Sequence, residues 1–196
     1  VNPYHSLYAA VTRKSRLGEP HEGWHPEQCM TREEALRSYT NWPAYGEFNE
    51  DLKGSLEVGK LADFVVIDRD YMTCPEEDIK DIQALLTVSG GEVVYQKDTS
   101  VPTIMWNGLP LTFNSELIVE PGKIYVPLND VINGISAEKR ADGASMLVTL
   151  NGKSIKLPVK TVDGVDYVAV RALFEGLGRN VTWYGDSRCV SIGWLK

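Results

Sequence analysis

The chain has 196 residues, of which 43% are hydrophobic, and its formal net charge is −7. These values are typical of a globular protein and argue against nucleic-acid binding, and no apolar run approaches the roughly 20 residues that would span a bilayer. Residues 1–97 contain 17 acidic and 10 basic side chains, whereas residues 98–196 contain 10 of each. The uneven charge predicts two units of different origin.

The first predicted element is a helix with recognisable end signals. Asn2 suits the N-cap and Pro3 the first helical position. An apolar face follows at helical spacing and consists of Tyr4, Leu7, Tyr8 and Val11. We expect the helix to run to Gly18, with basic residues in its last turn, namely Arg13, Lys14 and Arg16.

A second helix is predicted after a loop rich in Gly, Pro and His that runs from residue 19 to residue 30. Thr31 and Glu34 have the spacing of a capping box, which marks the start of a helix. The helix should bury an apolar stripe made of Ala35, Tyr39 and Trp42. Pro43 is expected to kink or end it.

Residues 54–68 are the most informative stretch of the chain and read Gly-Ser-Leu-Glu-Val-Gly-Lys-Leu-Ala-Asp-Phe-Val-Val-Ile-Asp. The continuous apolar run from Phe64 to Ile67 predicts a strand that is covered on both faces. Asp63 should accept hydrogen bonds from turn amides. Further along, Gly90-Gly91 between two apolar segments predicts a hairpin of residues 85–89 and 92–96.

The stretch 54–68 closely resembles a segment near the C-terminus of the metal-dependent amidohydrolases. More specifically, residues 1–97 resemble the branch of amidohydrolase family 3 that includes N-substituted formamide deformylase. The other matching segments are residues 2–3, 7–13, 24–28, 31–36, 39–40, 44–45, 80–82 and 90–95. Three residues depart from that pattern, namely His5, Cys29 and Pro43. The resemblance implies the C-terminal remnant of a (β/α)8 barrel, with its last helices and part of a β-sandwich.

The resemblance also implies the reaction, which is the hydrolysis of a non-peptide, amide-type carbon–nitrogen bond by a metal-dependent hydrolase. In that family, zinc or another divalent ion is held by a His-x-His pair, further histidines and carboxylates. This chain has three histidines and no His-x-His pair. We therefore expect residues 1–97 to lack catalytic residues and a cofactor, and to need an N-terminal barrel portion as their partner. Without that portion, residues 1–50 should fray, fold onto the chain's own sheet, or self-associate.

His21 and His25 are the only local candidates for a metal site, because they are four residues apart. Pro20, Gly23 and Pro26 interrupt any helix there, so a solvated loop is the preferred interpretation and metal binding the alternative. The acidic clusters are interpreted as helix starts and solvated turns rather than as acid–base pairs; they are Glu33/Glu34, Glu50/Asp51 and Glu76/Glu77/Asp78.

Residues 103–196 follow a predicted linker, residues 98–102, and contain one pattern written twice, at about 103–148 and 149–196. Asn107-Gly108 and Asn151-Gly152 lie 44 residues apart, and each begins a strand. Each copy then has a Tyr-Val strand and a short helix, residues 128–135 in the first and 171–177 in the second. A hairpin of residues 181–184 and 190–192 ends the pattern. The prediction for the whole chain is α+β, with this half a duplicated antiparallel sheet packed on helices.

This second half resembles the copper amine oxidase N-terminal-like domain, through residues 167–178 and through Val181 and Trp183. That resemblance implies a domain found in bacterial cell-surface proteins, and hence a surface or extracellular location with contact to the cell wall. Residues 101–196 contain no histidine, so copper is not expected. The alternative to an enzyme is therefore a non-catalytic surface spacer or binding module. Four aromatic residues are predicted to be core rather than a sugar-stacking face: Trp106, Trp183, Tyr184 and Trp194.

Overall fold

The computed structural model of the protein describes residues 2–143 and 145–194. It divides into two compact units. The N-terminal unit contains the residues up to 100 together with residues 184–187, and the C-terminal unit contains residues 101–183 and those from 188 onward. Helices and sheets occur in both, which confirms the α+β prediction, while the barrel remnant and the duplication stay predictions.

Among its described residues, the N-terminal unit has three α-helices, two 3-10 helices and one sheet. In chain order the elements are α1 (Pro3–Thr12), a 3-10 helix (Pro26–Gln28), α2 (Arg32–Arg37), α3 (Asn41–Gly46), β1 (Phe64–Ile67), a 3-10 helix (Glu76–Asp81), β2 (Ala84–Ser89) and β3 (Glu92–Gln96). The sheet order is β1-β2-β3, with both pairs antiparallel. Gly90 and Gly91 join β2 to β3 with positive φ at both positions, which confirms the predicted hairpin.

Helix α1 begins as predicted but ends earlier. The Asn2 side chain accepts a hydrogen bond from the Tyr4 amide, so the N-cap is confirmed. The helix stops at Thr12 because Arg13 adopts a left-handed conformation with φ 57°. Arg13 Nε donates to the carbonyl of Trp24 at 2.9 Å, which ties the residue to the following loop. The prediction of basic residues in the last turn is therefore wrong.

The apolar face of α1 is buried inside the N-terminal unit. Leu7 and Tyr8 pack in one cluster with residues that follow β1, namely Tyr71, Cys74, Ile79 and Ile82. Ala35 of α2 joins the same cluster. Residues 1–50 are expected to fray, to fold onto the chain's own sheet, or to self-associate. Helix α1 comes nearest to the second outcome, but it packs on the 3-10 helix Glu76–Asp81 rather than on the sheet.

The second predicted helix is divided into α2 and α3. The capping box of Thr31 and Glu34 is present, with both reciprocal hydrogen bonds. The break comes at residues 38–40, where Thr40 leaves helical geometry, and Pro43 lies inside α3 instead of ending the helix. Ala35 is buried, whereas Tyr39 and Trp42 are exposed. The single buried stripe is therefore wrong beyond Ala35.

Strand β1 is where predicted, but its burial is not. It lies at an edge of the three-stranded sheet, and Val65 and Val66 are exposed. The prediction of a strand covered on both faces is therefore wrong for this chain. Asp63 accepts a hydrogen bond from the Gly90 amide at 2.6 Å, which confirms its role at the turn.

The described part of the C-terminal unit has two helices and three sheets. Its elements are β4 (Thr103–Trp106), β5 (Leu109–Pro110), β6 (Ile118–Glu120), β7 (Lys123–Pro127), α4 (Leu128–Ile135), β8 (Glu138–Asp142), β9 (Ser145–Leu150), β10 (Lys153–Pro158), β11 (Lys160–Val162), β12 (Val165–Ala169), α5 (Val170–Gly176), β13 (Arg179–Tyr184) and β14 (Cys189–Trp194). The sheet orders are β10-β9-β8, β11-β12-β7-β6 and β13-β14-β4-β5. One hydrophobic cluster links these sheets with α4 and α5.

One strand pair departs from the predicted antiparallel arrangement. Strands β14 and β4 are parallel, with Cys189 opposite Thr103 and Ile192 opposite Trp106. They are the last and first strands of the unit. Sequence patterns predict strands through local periodicity, so they carry no information about which distant strands pair.

The repeated turns have the predicted geometry. Asn107 and Asn151 both have φ 50°, and each is followed by a glycine with positive φ. This is the backbone of a primed turn, which Asn-Gly favours. Within residues 2–143 and 145–194, none of the helices has the length and apolar character needed to cross a membrane.

Candidate functional site

The charged residues of the stretch 54–68 bind neighbouring side chains and backbone. Lys60 Nζ donates to Ser55 Oγ at 2.8 Å and lies 3.4 Å from a Glu57 carboxylate oxygen. Asp63 binds the hairpin amide, as described above. Each of these side chains is used within its own turn or by the neighbouring hairpin, so the stretch acts as a scaffold.

Asp68 and Arg69 form a buried ion pair at the end of β1. Arg69 Nε and Nη2 donate to the two Asp68 carboxylate oxygens at 2.9 and 2.7 Å, and the side chains are 0% and 2% exposed. The backbone N–H of Gln83 also donates to Asp68 Oδ1, at 3.1 Å. The two-point contact matches the guanidinium fork to the carboxylate, which is the strongest geometry for such a pair.

Further contacts surround this pair. Arg69 donates to the carbonyls of Asp78 and Asp81, and its guanidinium lies 3.4 Å from the centre of the Tyr184 ring. Ser187 Oγ donates to Asp68 at 2.7 Å. The buried pair therefore joins four segments of the N-terminal unit, and it has the character of a structural centre rather than of an exposed catalytic one.

A second polar group lies under α1. Tyr8 donates its hydroxyl to the Glu77 carboxylate at 3.0 and 3.1 Å, and Lys80, which is fully buried, donates to the Glu77 carbonyl. Asp78 is 2% exposed and accepts a hydrogen bond from Tyr184. Residues 76–78 begin a 3-10 helix, which agrees with the interpretation of the cluster as a helix start. Glu76 is exposed, whereas Asp78 is buried, so the solvated interpretation fails for Asp78.

Two tyrosines of α1, Tyr4 and Tyr8, make the stability of the N-terminal unit sensitive to alkaline pH. Burial and the neighbouring Glu77 charge raise the pKa of Tyr8, and burial raises the pKa of Tyr4 to about 12. The unfolded chain loses these protons near pH 10, before the folded chain does. The stabilising contribution of the two protonated tyrosines is therefore fully present below pH 10 and decreases as the pH rises above 10.

We expect Tyr8→Phe to flatten this dependence by roughly one proton, measured as the slope of unfolding free energy against pH between pH 10 and 12. Tyr45→Phe is the matched control, because Tyr45 is exposed and should leave the slope unchanged. Equal slopes in Tyr8→Phe and the parent would contradict the assignment.

His21 and His25, the candidate metal ligands, lie in the loop between α1 and α2. Both are exposed, and each ring places Nδ1 at 2.9 Å from a neighbouring carboxylate, Glu22 for His21 and Glu27 for His25. No three His, Cys, Asp or Glu side chains within residues 2–143 and 145–194 are grouped so that they could hold a metal ion. The described residues therefore do not fit the divalent ion that the amidohydrolase resemblance implies.

The C-terminal unit contains a groove of about 710 Å³. It is bounded by the β6–β7 hairpin, by α5 and by side chains of β13 and β14. Trp183 lines it with 44% of its surface exposed, so the prediction of a core position is wrong for this residue. Trp106 is partly buried and packs on Phe174 at 5.4 Å between ring centres. Tyr184 belongs to the N-terminal unit, and the side chain of Trp194 lies outside the described residues.

Sequence reasoning found the turns and the capping box but missed the buried ion pair and the groove. Asp68 and Arg69 are adjacent charges at a strand end, a pattern that usually indicates solvent. The groove is built from three segments distant in sequence. Of the groove residues, the sequence patterns single out Val181 and Trp183. Both lie on the same face of β13, where Val181 is buried and Trp183 is exposed.

Comparison with known proteins finds similarity in the N-terminal half of the chain. Residues 1–95 match the model of the amidohydrolase family. An N-substituted formamide deformylase of Arthrobacter pascens is 34% identical over 99 residues, which is 50% of this chain and 18% of that protein. YtcJ of Bacillus subtilis strain 168 is 28% identical over 97 residues, 50% of this chain and 18% of its own length. LONG AFTER FAR-RED 3 of Arabidopsis thaliana is 34% identical over 97 residues, 48% of this chain and 16% of its own length.

The chain thus spans less than a fifth of the length of these relatives. No solved structure matches it. The amidohydrolase match covers just under half of the chain and falls on the N-terminal unit. It supports the resemblance drawn from the stretch 54–68.

Proposed function

We propose that residues 1–97 are the C-terminal part of a metal-dependent amidohydrolase that cleaves a non-peptide carbon–nitrogen bond. The similarity to an N-substituted formamide deformylase makes an amide of that class the first substrate to test. The role of this segment is scaffolding, because the charged side chains of its family-like stretch all bind neighbouring backbone or side chains.

The observation that carries this proposal is an uncovered apolar surface in the N-terminal unit. Phe48 is 89% exposed, and other large apolar side chains between residues 36 and 66 are also in water, including Trp42, Tyr45, Leu56, Val65 and Val66. So many exposed large apolar side chains within one segment are unusual for a folded monomer. Burial of each would contribute about 1.5–3 kcal/mol, so a covering partner is expected. In the proposed enzyme this partner is the rest of the barrel.

The metal would be held by residues outside 1–97. His21 and His25 already use Nδ1 for their own neighbouring carboxylates and have no third ligand among the described residues. We therefore assign no catalytic step to this chain's own side chains.

The test is to read the coding sequence upstream of Val1 and to express the extended frame. We expect a His-x-His pair upstream, and we expect the extended protein to release formate from an N-substituted formamide until a chelator removes its metal. The 196-residue chain should release none. An upstream frame without metal-ligating histidines, or formate release by the 196-residue chain itself, would refute the proposal.

Residues 103–196 are proposed to be a separate, non-catalytic module similar to the copper amine oxidase N-terminal-like domain. Two features favour this role. The C-terminal unit has its own hydrophobic cluster, and its helices and strands follow the order that the repeated Asn-Gly pattern indicates. A cell-surface position would suit such a module and forms part of the same proposal.

A further inference from the structure

The groove of the C-terminal unit has an apolar floor and a charged rim. Val181 and Trp183 are two residues apart on β13, so their side chains leave the same face of the strand. Val190 of β14 lies beside them in the groove. The floor is therefore the face of a sheet, and the walls are α5 and the β6–β7 hairpin.

Trp183 is the unusual member of this floor. Val181 and Val190 are 7% and 3% exposed, whereas the much larger indole is 44% exposed. An aromatic side chain that lies open in a concave site, beside buried aliphatic neighbours, offers a flat apolar surface to a ligand. The C–H face of a pyranose ring is a flat, weakly apolar surface of similar size.

The rim supplies both hydrogen-bond donors and acceptors. Arg171 Nη1 donates to Glu175 at 2.6 Å, and Glu120 accepts from Lys160 at 2.5 Å, so these side chains are already oriented. The vicinal hydroxyl groups of a sugar both donate and accept hydrogen bonds. A basic side chain can donate to one hydroxyl group, and the carboxylate beside it can accept from the next. The basic lining residues are Lys123, Arg171 and Arg188 against two acidic ones, in a chain of net charge −7. The local excess of positive charge favours an acidic ligand.

An extended peptide fits this groove less well. Peptides that add a strand pair with the open edge of a sheet, because their backbone hydrogen bonds supply the affinity. Strand β13 does lie at an edge of its sheet, but the groove is lined by side chains of β13 and β14, among them Val181, Trp183 and Val190. A ligand held by stacking and by side-chain hydrogen bonds matches these contacts.

We propose that this groove binds an acidic oligosaccharide, with one sugar ring stacked on Trp183 and a carboxylate or phosphate directed to Lys123, Arg171 and Arg188. The inference rests on the proposed role of residues 103–196 as a non-catalytic module and is independent of the amidohydrolase proposal.

The test is calorimetric titration of the full chain with three sugar probes and with polyglutamate as a peptide control. Tetragalacturonate carries carboxylates, a phosphorylated oligomannose carries phosphates, and maltotetraose is neutral. We expect at least one acidic probe to bind, and its identity separates the carboxylate source from the phosphate source. Trp183→Ala should weaken that binding at least about tenfold, since a central aromatic contact is lost. Trp183→Phe should restore part of it.

Two controls make the result specific. Trp24→Ala removes an exposed tryptophan of the N-terminal unit and should leave binding unchanged. Lys123→Ala should weaken the acidic probe about threefold or more and leave any maltotetraose binding as it was. Lack of binding by both acidic probes, or binding that survives Trp183→Ala, overturns the inference. If maltotetraose binds as tightly as the acidic probes, the inference that the ligand is acidic is wrong. If polyglutamate binds and Trp183→Ala does not weaken it, the groove is a peptide site instead.

Limited proteolysis of the same samples keeps the two proposals apart. A stable C-terminal piece released by cleavage near Lys97, without sugar binding, would retain the module and reject the ligand. Cleavage scattered through residues 103–196 would reject the module itself.

Discussion

Arg69→Ala should lower the unfolding free energy of the N-terminal unit by about 3–5 kcal/mol. The substitution leaves the Asp68 carboxylate, which is 0% exposed, without its charge partner. It also removes the donors to the Asp78 and Asp81 carbonyls and the contact with the Tyr184 ring. Urea unfolding followed by far-ultraviolet circular dichroism measures the loss, with hydrogen exchange locating it in the N-terminal unit.

The double variant Asp68→Asn/Arg69→Met should be less destabilised than Arg69→Ala. The buried charge is then gone, and the Met side chain refills much of the space, so the desolvation penalty of an unpaired carboxylate does not arise. Arg37→Ala is the matched control. Its ion pair with Glu33 is on the surface, with 56% and 65% of the side chains exposed, and should contribute less than about 1 kcal/mol. Equal losses for Arg69→Ala and Arg37→Ala would refute the structural role of the buried pair.

Local signals in the sequence were read correctly where one short segment determines the structure. The Asn2 cap, the Thr31–Glu34 capping box, the Gly90-Gly91 hairpin and the α4 bounds each depend on a few neighbouring residues. Helix α1 ended early for a reason outside that range. Arg13 leaves helical geometry where its side chain reaches the Trp24 carbonyl, a contact across eleven residues that periodicity does not record.

Burial was predicted less well than secondary structure. The run Phe64–Ile67 has the composition of a core strand, yet Val65 and Val66 are both exposed. Because adjacent residues of a strand point to opposite faces, neither face of the sheet is covered at these two positions. Conversely, the acidic residues 76–78 suggest a solvated segment, yet Asp78 is buried, as are Lys80 and Asp81, and the 3-10 helix that contains them packs on α1. If the proposed barrel covers residues 36–66, the first mismatch has a direct cause. The apolar run Phe64–Ile67 would then reflect the burial of this strand inside a larger protein.

The candidate sites follow the same division. A metal site at His21 and His25 depended on helical spacing, and the structure shows a loop in which each ring has its own carboxylate. The groove around Trp183 depends on α5, on the β6–β7 hairpin and on the last two strands coming together. Only the tertiary arrangement brings these segments together, so sequence patterns could mark Trp183 as a candidate but not supply its neighbours.

Phe174→Ala should destabilise the C-terminal unit by about 3–5 kcal/mol, because it removes a fully buried ring from the centre of the unit's core. The ring also packs on Trp106 at 5.4 Å between centres, a contact that adds to the loss. Trp183→Ala, which removes a larger but exposed ring, is the matched control and should cost much less.

The same variant tests whether the two units are separate domains. If residues 103–196 fold on their own after a linker at 98–102, Phe174→Ala should raise exchange rates of amides in α4, α5 and their sheets, and leave those of α1 and β2 at parental values. Hydrogen exchange resolved by peptide mass spectrometry makes that comparison in one experiment. An equal loss of protection in α1 would mean that the chain unfolds as one cooperative body. The separate-module proposal would then be abandoned, because a core defect in one domain cannot lower the protection of an independent one.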